Sequence, residues 1–451
     1  MSLSRRSVLA GSVALAVAGC QTDDKPADDT GGDSSGPPTP TRDPEPEPWD
    51  APGTEDAATF AWGVQIGDAT TSSALVSVRT TAKALTIVLM VADGEGWTEV
   101  SRTKATPEDR VAQVPLEGLV ADTAYSVAVY SDTETRSPVA RFRTALAADG
   151  YRVVVFGATS CFGGNSPWPS MSFAAAENLD FFALLGDMIY ADDYPDRYDY
   201  ETKWDTCLST EGMRAMTLST SIAVTWDDHE VDNNFRRDTE GIDEMLAEAY
   251  PAFRRAMPYV DGGGEFGLWR KISWGTVLDL FILDCRGERM GDLYISVEQM
   301  DWLKAGLSAS TARFKIIANS VPISDLSAVF GSVMENDRWD GFPEQRSEIL
   351  AHIVDNGISG VLWISGDIHY GQLGRVDPEG GVAENLWEAV IGPAGSTLNA
   401  IVTKLDPIEQ FPIMFADYNW ARFTCDPGRG SILISFIGDE GQTIAEQEIF
   451  V

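Results

Sequence analysis

Five apolar runs lack the alternation of a half-exposed strand: VVVFG (153–157), FFALL (181–185), IAVT (222–225), FKIIA (314–318) and GVLWI (360–364). A strand that is apolar at every position buries both of its faces. Segments such as 172–178, 297–307 and 343–355 between them read as helices. Continuous apolar strands alternating with helices predict an α/β fold whose sheet is covered on both sides. With 451 residues, 44% of them hydrophobic, the chain is long enough for that core and for more than one domain.

Upstream the pattern changes. From Thr59 to about Thr144 the segments FAWGVQIG, ALVSVRT, ALTIVLMVA, AYSVAVYS and VARFRTA read as strands separated by turn residues, which predicts a small all-β domain. Leu116-Glu117-Gly118-Leu119 followed by Thr123-Ala124-Tyr125 resembles a fibronectin type III module, with Tyr125 as its structural corner tyrosine. The expected boundaries are 56–147 for this module and 148–451 for the α/β domain.

Arg5-Arg6 precedes an apolar run from Val8 to Gly19, too short to span a bilayer and of signal-peptide length. The twin arginine resembles a Tat signal, and Val17-Ala18-Gly19-Cys20 resembles a lipobox. Residues 1–20 are therefore expected to be a Tat-type lipoprotein signal with Cys20 lipidated. The protein would be exported and lipid-anchored in the cell envelope, on the periplasmic or extracellular face. Residues 21–55, with the run DPEPEP at 43–48, are expected to be a disordered, acidic, proline-rich linker.

Net charge is -36, which repels nucleic acid and anionic lipid at long range. No nucleic-acid partner is expected, and membrane contact is expected only through the anchor. Four cysteines remain beyond Cys20: Cys161, Cys207, Cys285 and Cys425. An oxidising envelope would allow one or two disulfides among them, whereas a chain that folds before export is expected to keep them free.

Several apolar strands end in polar clusters. Ser160-Cys161 follows the first, Gly186-Asp187-Met188-Ile189-Tyr190 the second, Trp226-Asp227-Asp228-His229-Glu230 with Asp232-Asn233-Asn234 the third, and Gly366-Asp367-Ile368-His369 the last. In open α/β sheets ligands bind beyond the carboxyl ends of the strands. Two of the chain's three histidines fall in these clusters. So many acids at the ends of buried strands need cations to offset the cost of burying charge.

GDMIY, WDDHEVDNN, LDCRGER (283–289), EQMDWL (298–303) and SGDIHY occur in the order found in PhoD-like alkaline phosphatases and phosphodiesterases, a branch of the calcineurin-like metallophosphoesterases. The resemblance covers Phe60 to about the C-terminus. It implies a metallophosphoesterase β-sandwich flanked by helices. It also implies metal-dependent hydrolysis of small phosphoesters, by attack of metal-activated hydroxide on phosphorus. Cys161 stands where that superfamily usually has Asp-x-His, and Tyr190 matches the iron-binding tyrosine of purple acid phosphatases. Ligand softness then divides the residues. Cys161, Asp187, Tyr190 and His369 suit a transition metal, which the resemblance makes Fe³⁺. Asp187, Asp228, Asp367 and Asn234, or its neighbour Asn233, suit a hard ion such as Ca²⁺, with Asp187 shared. His229 is expected to stabilise or protonate the leaving oxygen. Arg286 and Arg289 are expected to meet the phosphate oxygens, or else to be salt-bridge partners, with Arg286 the expected catalytic residue. The contrasting reading is a non-catalytic surface lipoprotein with an adhesive β module and a structural metal site.

Overall fold

The apolar runs form strands buried on both faces because two sheets pack against each other and each carries helices on its outer side. In the computed structural model the described residues are 39–451 except 45, 95, 134, 164–166, 193–198 and 334. The expected signal, Cys20 and the linker up to residue 38 lie outside them.

Along each strand, successive side chains enter different cores. Phe181, Ala183 and Leu185 face the second sheet, whereas Phe182 and Leu184 meet the outer helices. The first sheet has nine strands. At its centre Val154–Thr159, Phe181–Leu185 and Ile222–Thr225 run parallel, and Asn419–Asp426 joins antiparallel beside the first. The second sheet has seven strands, with Leu278–Ile282, Phe314–Ala318 and Val361–Ser365 parallel at its heart. Between the sheets, Phe156 stacks on Phe181 at 4.7 Å and on Phe423 at 4.5 Å, and Phe181 stacks on Trp274 at 4.2 Å. Helices Pro169–Ala176, Tyr200–Leu208, Glu211–Ser219 and Ile242–Ala256 contribute to the core outside the first sheet. Helices Val297–Ala309 and Pro343–Asp355 do so outside the second. The result is an α/β body of helix, sheet, sheet and helix layers.

The segments expected as helices at 297–307 and 343–355 lie within Val297–Ala309 and Pro343–Asp355. The first starts where Ser296 caps Gln299 N at 3.1 Å. Gln299 is buried and bridges back: its Oε1 accepts from Asp284 N at 2.9 Å, and its Nε2 donates to Asp284 O and Glu288 Oε2. The EQMDWL segment thus fixes the loop that carries Arg286.

The β-rich N-terminal part holds two strands that polar composition concealed, Gly96–Ala105 and Val111–Glu117. Its strands Gln65–Gly67, Ser73–Arg79 and Val111–Glu117 continue the nine-stranded sheet through the pairing of Gly67 with Ile222. A buried two-pronged ion pair crosses the same seam: Arg270 Nε to Asp68 Oδ2 at 2.7 Å and Nη2 to Asp68 Oδ1 at 2.8 Å. Part of the expected linker also belongs to the body. Val153 N donates to Pro40 O at 2.8 Å, Arg42 reaches Asp180, and Arg136 Nε donates to Ala51 O. Proline and acid favour an extended chain, and here an extended chain from Thr39 lies against folded partners.

Candidate metal centre and active site

The strand ends deliver their side chains to one rim. Val154–Thr159, Phe181–Leu185 and Ile222–Thr225 lead to Cys161, Asp187 and Asp227-Asp228, and Val361–Ser365 of the other sheet leads to Asp367 and His369. The turns are held to one another through the backbone: Cys161 N donates to Gly186 O, Phe162 N to Asp187 O, and Ala191 N to His229 O. Glu230, buried, accepts from Asp187 N, Met188 N and Asp227 N at 3.0, 2.5 and 2.9 Å. Gly186 is required at φ 97°, where an added Cβ would stand 2.6 Å from Asp227 N. Cys161, Asp187, Asn234, Asp367 and His369 all have φ between 57° and 67°. Each such non-glycine residue stores about 1–3 kcal/mol of strain, and here the strain aims side chains at a common point.

On one side of Asp187, its Oδ2 accepts from Tyr190 Oη at 3.2 Å and lies 3.4 Å from Cys161 Sγ, while Tyr190 Oη is 3.1 Å from His369 Nε2. One possible ligand atom each from Cys161, Asp187 and His369 lies within 4.8 Å of the others. Burial, then the charge of Asp187, pushes Cys161 and Tyr190 well above their usual values. Burial and neighbouring His229 lower His369 to about 4, leaving a neutral imidazole.

On the other side lie Asp228, Asp227 and Asp367, again with ligand atoms within 4.8 Å of one another. Asp228 Oδ2 accepts from Asn234 N at 2.6 Å. Turned with its amide nitrogen toward Asp337, Asn234 donates to that carboxylate at 2.8 and 3.0 Å and accepts from Asn233 Nδ2 at 3.0 Å. Burial, then repulsion from Asp228, Asp227 and Glu230, raises Asp187 well above the carboxylate range; burial and Asp227 do the same to Asp367.

Arg286 is placed differently from a phosphate clamp. It is fully buried, with Nε 2.6 Å from Asp227 Oδ1, Nη1 2.5 Å from Asp337 Oδ1 and Nη2 3.3 Å from Asp367 Oδ1. Carboxylates surround its guanidinium, so of the two expected roles the salt-bridge partner matches the geometry. Arg289 adds Nη1 to Asp337 Oδ1 at 2.8 Å.

His229 faces Tyr190, ring centroids 4.1 Å apart, and its Nδ1 lies 2.5 Å from Asp192 Oδ1. Burial opposes its charge, but the Asp192 hydrogen bond and the charges of Asp228 and Asp192 raise it to about 9. A cleft of about 450 Å³ opens here, lined by Asp228, His229, Asn234, Asp367 and His369 among others. Every expected site residue of the described chain is therefore at this rim, with Arg286 behind it. Sequence reading missed Asp192 and Asp337. Asp192 stands two residues beyond Tyr190 and was legible as part of that cluster. Asp337 ends a short 3₁₀ turn, Glu335–Asp337, with no strand before it.

A cation fits these residues. Asp187 Oδ1 is buried and has no hydrogen-bond partner among the described residues. Thiol, phenol and neutral imidazole on one side and oxygen donors on the other form two donor sets of different softness that share that carboxylate.

A family model described as PhoD-like phosphatase matches residues 156–417, a span that contains every one of these ligand candidates. The chain belongs to the PhoD-like phosphatase family. This PhoD-like chain is 26% identical over 289 residues to alkaline phosphatase D of Bacillus subtilis (strain 168), an alignment covering 52% of this chain and about half, 49%, of that protein. In three dimensions it is similar to a solved structure of PhoD, with a TM-score of 0.74 at 21% identity over 88% of this chain and 90% of that one. It is also similar to purple acid phosphatase PPD1 from yellow lupin (Lupinus luteus) seeds, with a TM-score of 0.62 at 12% identity over 86% and 74%. These two likenesses are of fold, and they support the expected metallophosphoesterase-like layering. The family resemblance carried by the motifs is borne out.

Proposed function

We propose that this PhoD-like chain hydrolyses small phosphoesters with at least two metal ions held about Asp187. The observation that carries the reading is Asp187 Oδ1, which has no hydrogen-bond partner among the described residues and is buried between Cys161, Tyr190 and His369 on one side and Asp228 on the other. Cys161, Asp187, Tyr190 and His369 would hold Fe³⁺, and Asp187, Asp228, Asp367 and Asn234 would hold Ca²⁺. When bound, the cations supply Lewis-acid polarisation of the phosphoryl group and a lowered pKa for the attacking water. Arg286, locked between Asp227, Asp337 and Asp367, orients those carboxylates and offsets their mutual repulsion. Glu230 fixes the backbone of Asp187 and Asp227. His229, held at Nδ1 by Asp192, keeps a proton at Nε2 for the departing alkoxide.

The same reading extends to the flanks. The β-rich N-terminal part is a fibronectin III-like module, supported by the corner contact in which Tyr125 Oη accepts from Val120 N at 2.8 Å. The Arg5-Arg6 segment and Cys20 make the protein an exported lipoprotein of the cell envelope, a proposal supported by the sequence alone. Elemental analysis of purified protein, with turnover of p-nitrophenyl phosphate and bis-p-nitrophenyl phosphate, tests the site. Iron, calcium and hydrolysis of either ester are expected; a metal-free protein that turns over neither ester refutes it.

A further inference from the structure

Three buried arginines stand near the centre, and they differ in how their donors are used. Arg286 is ringed by Asp227, Asp337 and Asp367. Arg289 pairs with Asp337 and lies 4.3 Å over the ring of Tyr294. Arg338 is 3% exposed, yet among the described residues its Nε and Nη2 make no hydrogen bond. Asp340 Oδ2 lies 3.3 Å from Nη2 and offers charge without hydrogen-bond geometry. The guanidinium carbon sits 5.4 Å from the ring centroid of Phe330. Unlike the other two arginines, Arg338 lines the cleft at the rim, as does Phe330.

A buried cation with unused N–H groups is costly unless a ligand completes it. The neighbouring carboxylate, Asp337, is engaged by Arg286, Arg289 and Asn234. Much of the remaining cleft lining near Arg338 is apolar: Phe330, Val333, Leu398 and Ile401. An anion entering this space meets a wall to which Arg338 contributes beside Asp337, Phe330 and Val333. A planar guanidinium suits phosphate oxygens better than an ammonium does.

We propose that Arg338 is a substrate-binding residue that donates to a non-bridging oxygen of the phosphoester in the cleft. The proposal rests on the phosphoesterase reading and assigns to Arg338 the contact first expected of Arg286 and Arg289. Its effect is on substrate capture, because Arg338 touches none of the metal-ligand candidates in the contacts of the described residues.

The test is steady-state hydrolysis of bis-p-nitrophenyl phosphate by the full metal-loaded protein, wild type against Arg338→Gln and Arg338→Lys. Loss of one charged hydrogen bond corresponds to about a tenfold rise in KM. The Gln variant is expected to show that rise with kcat within about twofold, unchanged bound metal and an unchanged thermal midpoint; the Lys variant recovers part of the KM. An unchanged KM in Arg338→Gln overturns the assignment. So does a fall in kcat that tracks lost metal or a lower thermal midpoint, which would make Arg338 a structural partner of Asp340. Should the wild type hydrolyse no ester, the phosphoesterase reading fails by itself. Calorimetric binding of inorganic phosphate to wild type and Arg338→Gln then still decides the residue: weaker binding by about tenfold supports it, and equal affinity overturns it.

Discussion

Replacing Asp192 by Asn isolates what the 2.5 Å contact with His229 Nδ1 contributes. The side chain keeps its size and can still accept a hydrogen bond, but it no longer stabilises an imidazolium. A charge-assisted hydrogen bond of this kind is worth about 1.5–3 kcal/mol. If it acts on the transition state for leaving-group departure, kcat falls by about 10- to 150-fold at roughly 1.4 kcal/mol per decade. The size of the loss should depend on the leaving group. p-Nitrophenolate departs with little help from an acid, so bis-p-nitrophenyl phosphate should lose the least. An alkyl phosphodiester, whose alkoxide must be protonated, should show the full loss. The assay is kcat for both esters in wild type and Asp192→Asn, with bound metal measured in each preparation. Equal losses on the two esters, or none on the alkyl ester, would refute the assignment of His229 as the proton donor.

Three further outcomes are expected. Asp187→Asn should lose bound metal and hydrolysis of both nitrophenyl esters together, because that carboxylate is common to both donor sets; retained metal with lost activity would contradict the sharing. Tyr190→Phe should abolish a visible charge-transfer band of the iron-loaded protein; absence of such a band in active wild type would count against tyrosinate on iron. Asp180 is fully buried, and although burial raises its pKa, Arg152, Arg42 and the Val155 amide lower it below its usual value. Its contribution to stability is therefore present above about pH 4 and disappears as acid protonates it below that. Asp180→Asn should cost about 3–5 kcal/mol near neutral pH, by leaving Arg152 underpaired. The difference in thermal midpoint from wild type should shrink on acidification, and a constant difference from pH 7 to 3 would refute it.

The apolar runs made the sheets legible because FFALL and GVLWI need burial on both faces, are too short for ordinary helices and alternate with helical segments. The same runs made the rim legible, since Cys161, Asp187, Asp228 and His369 each follow within a few residues of a strand end. Asp337 was hidden because it comes from a turn far along the chain whose position depends on tertiary packing. Arg286 was visible as a cation, but its role depended on which carboxylates closed around it. The positive φ at Cys161, Asp187, Asn234, Asp367 and His369 was equally hidden: Asp, Asn and His tolerate that region better than other non-glycine residues, but most of them in any chain do not adopt it. One pairing, Gly67 with Ile222, joins the β-rich part to the central sheet. A single bridge leaves no periodicity to read.

That joint bears on how the protein can be cut. Removing everything before residue 148 would strip three strands from the larger sheet and leave Ile222–Thr225 as a bare, apolar margin, with Arg270 stranded without its carboxylate. Exposed margins of that kind recruit neighbouring chains. A fragment beginning at residue 148 should therefore precipitate or self-associate where the longer chain stays dispersed.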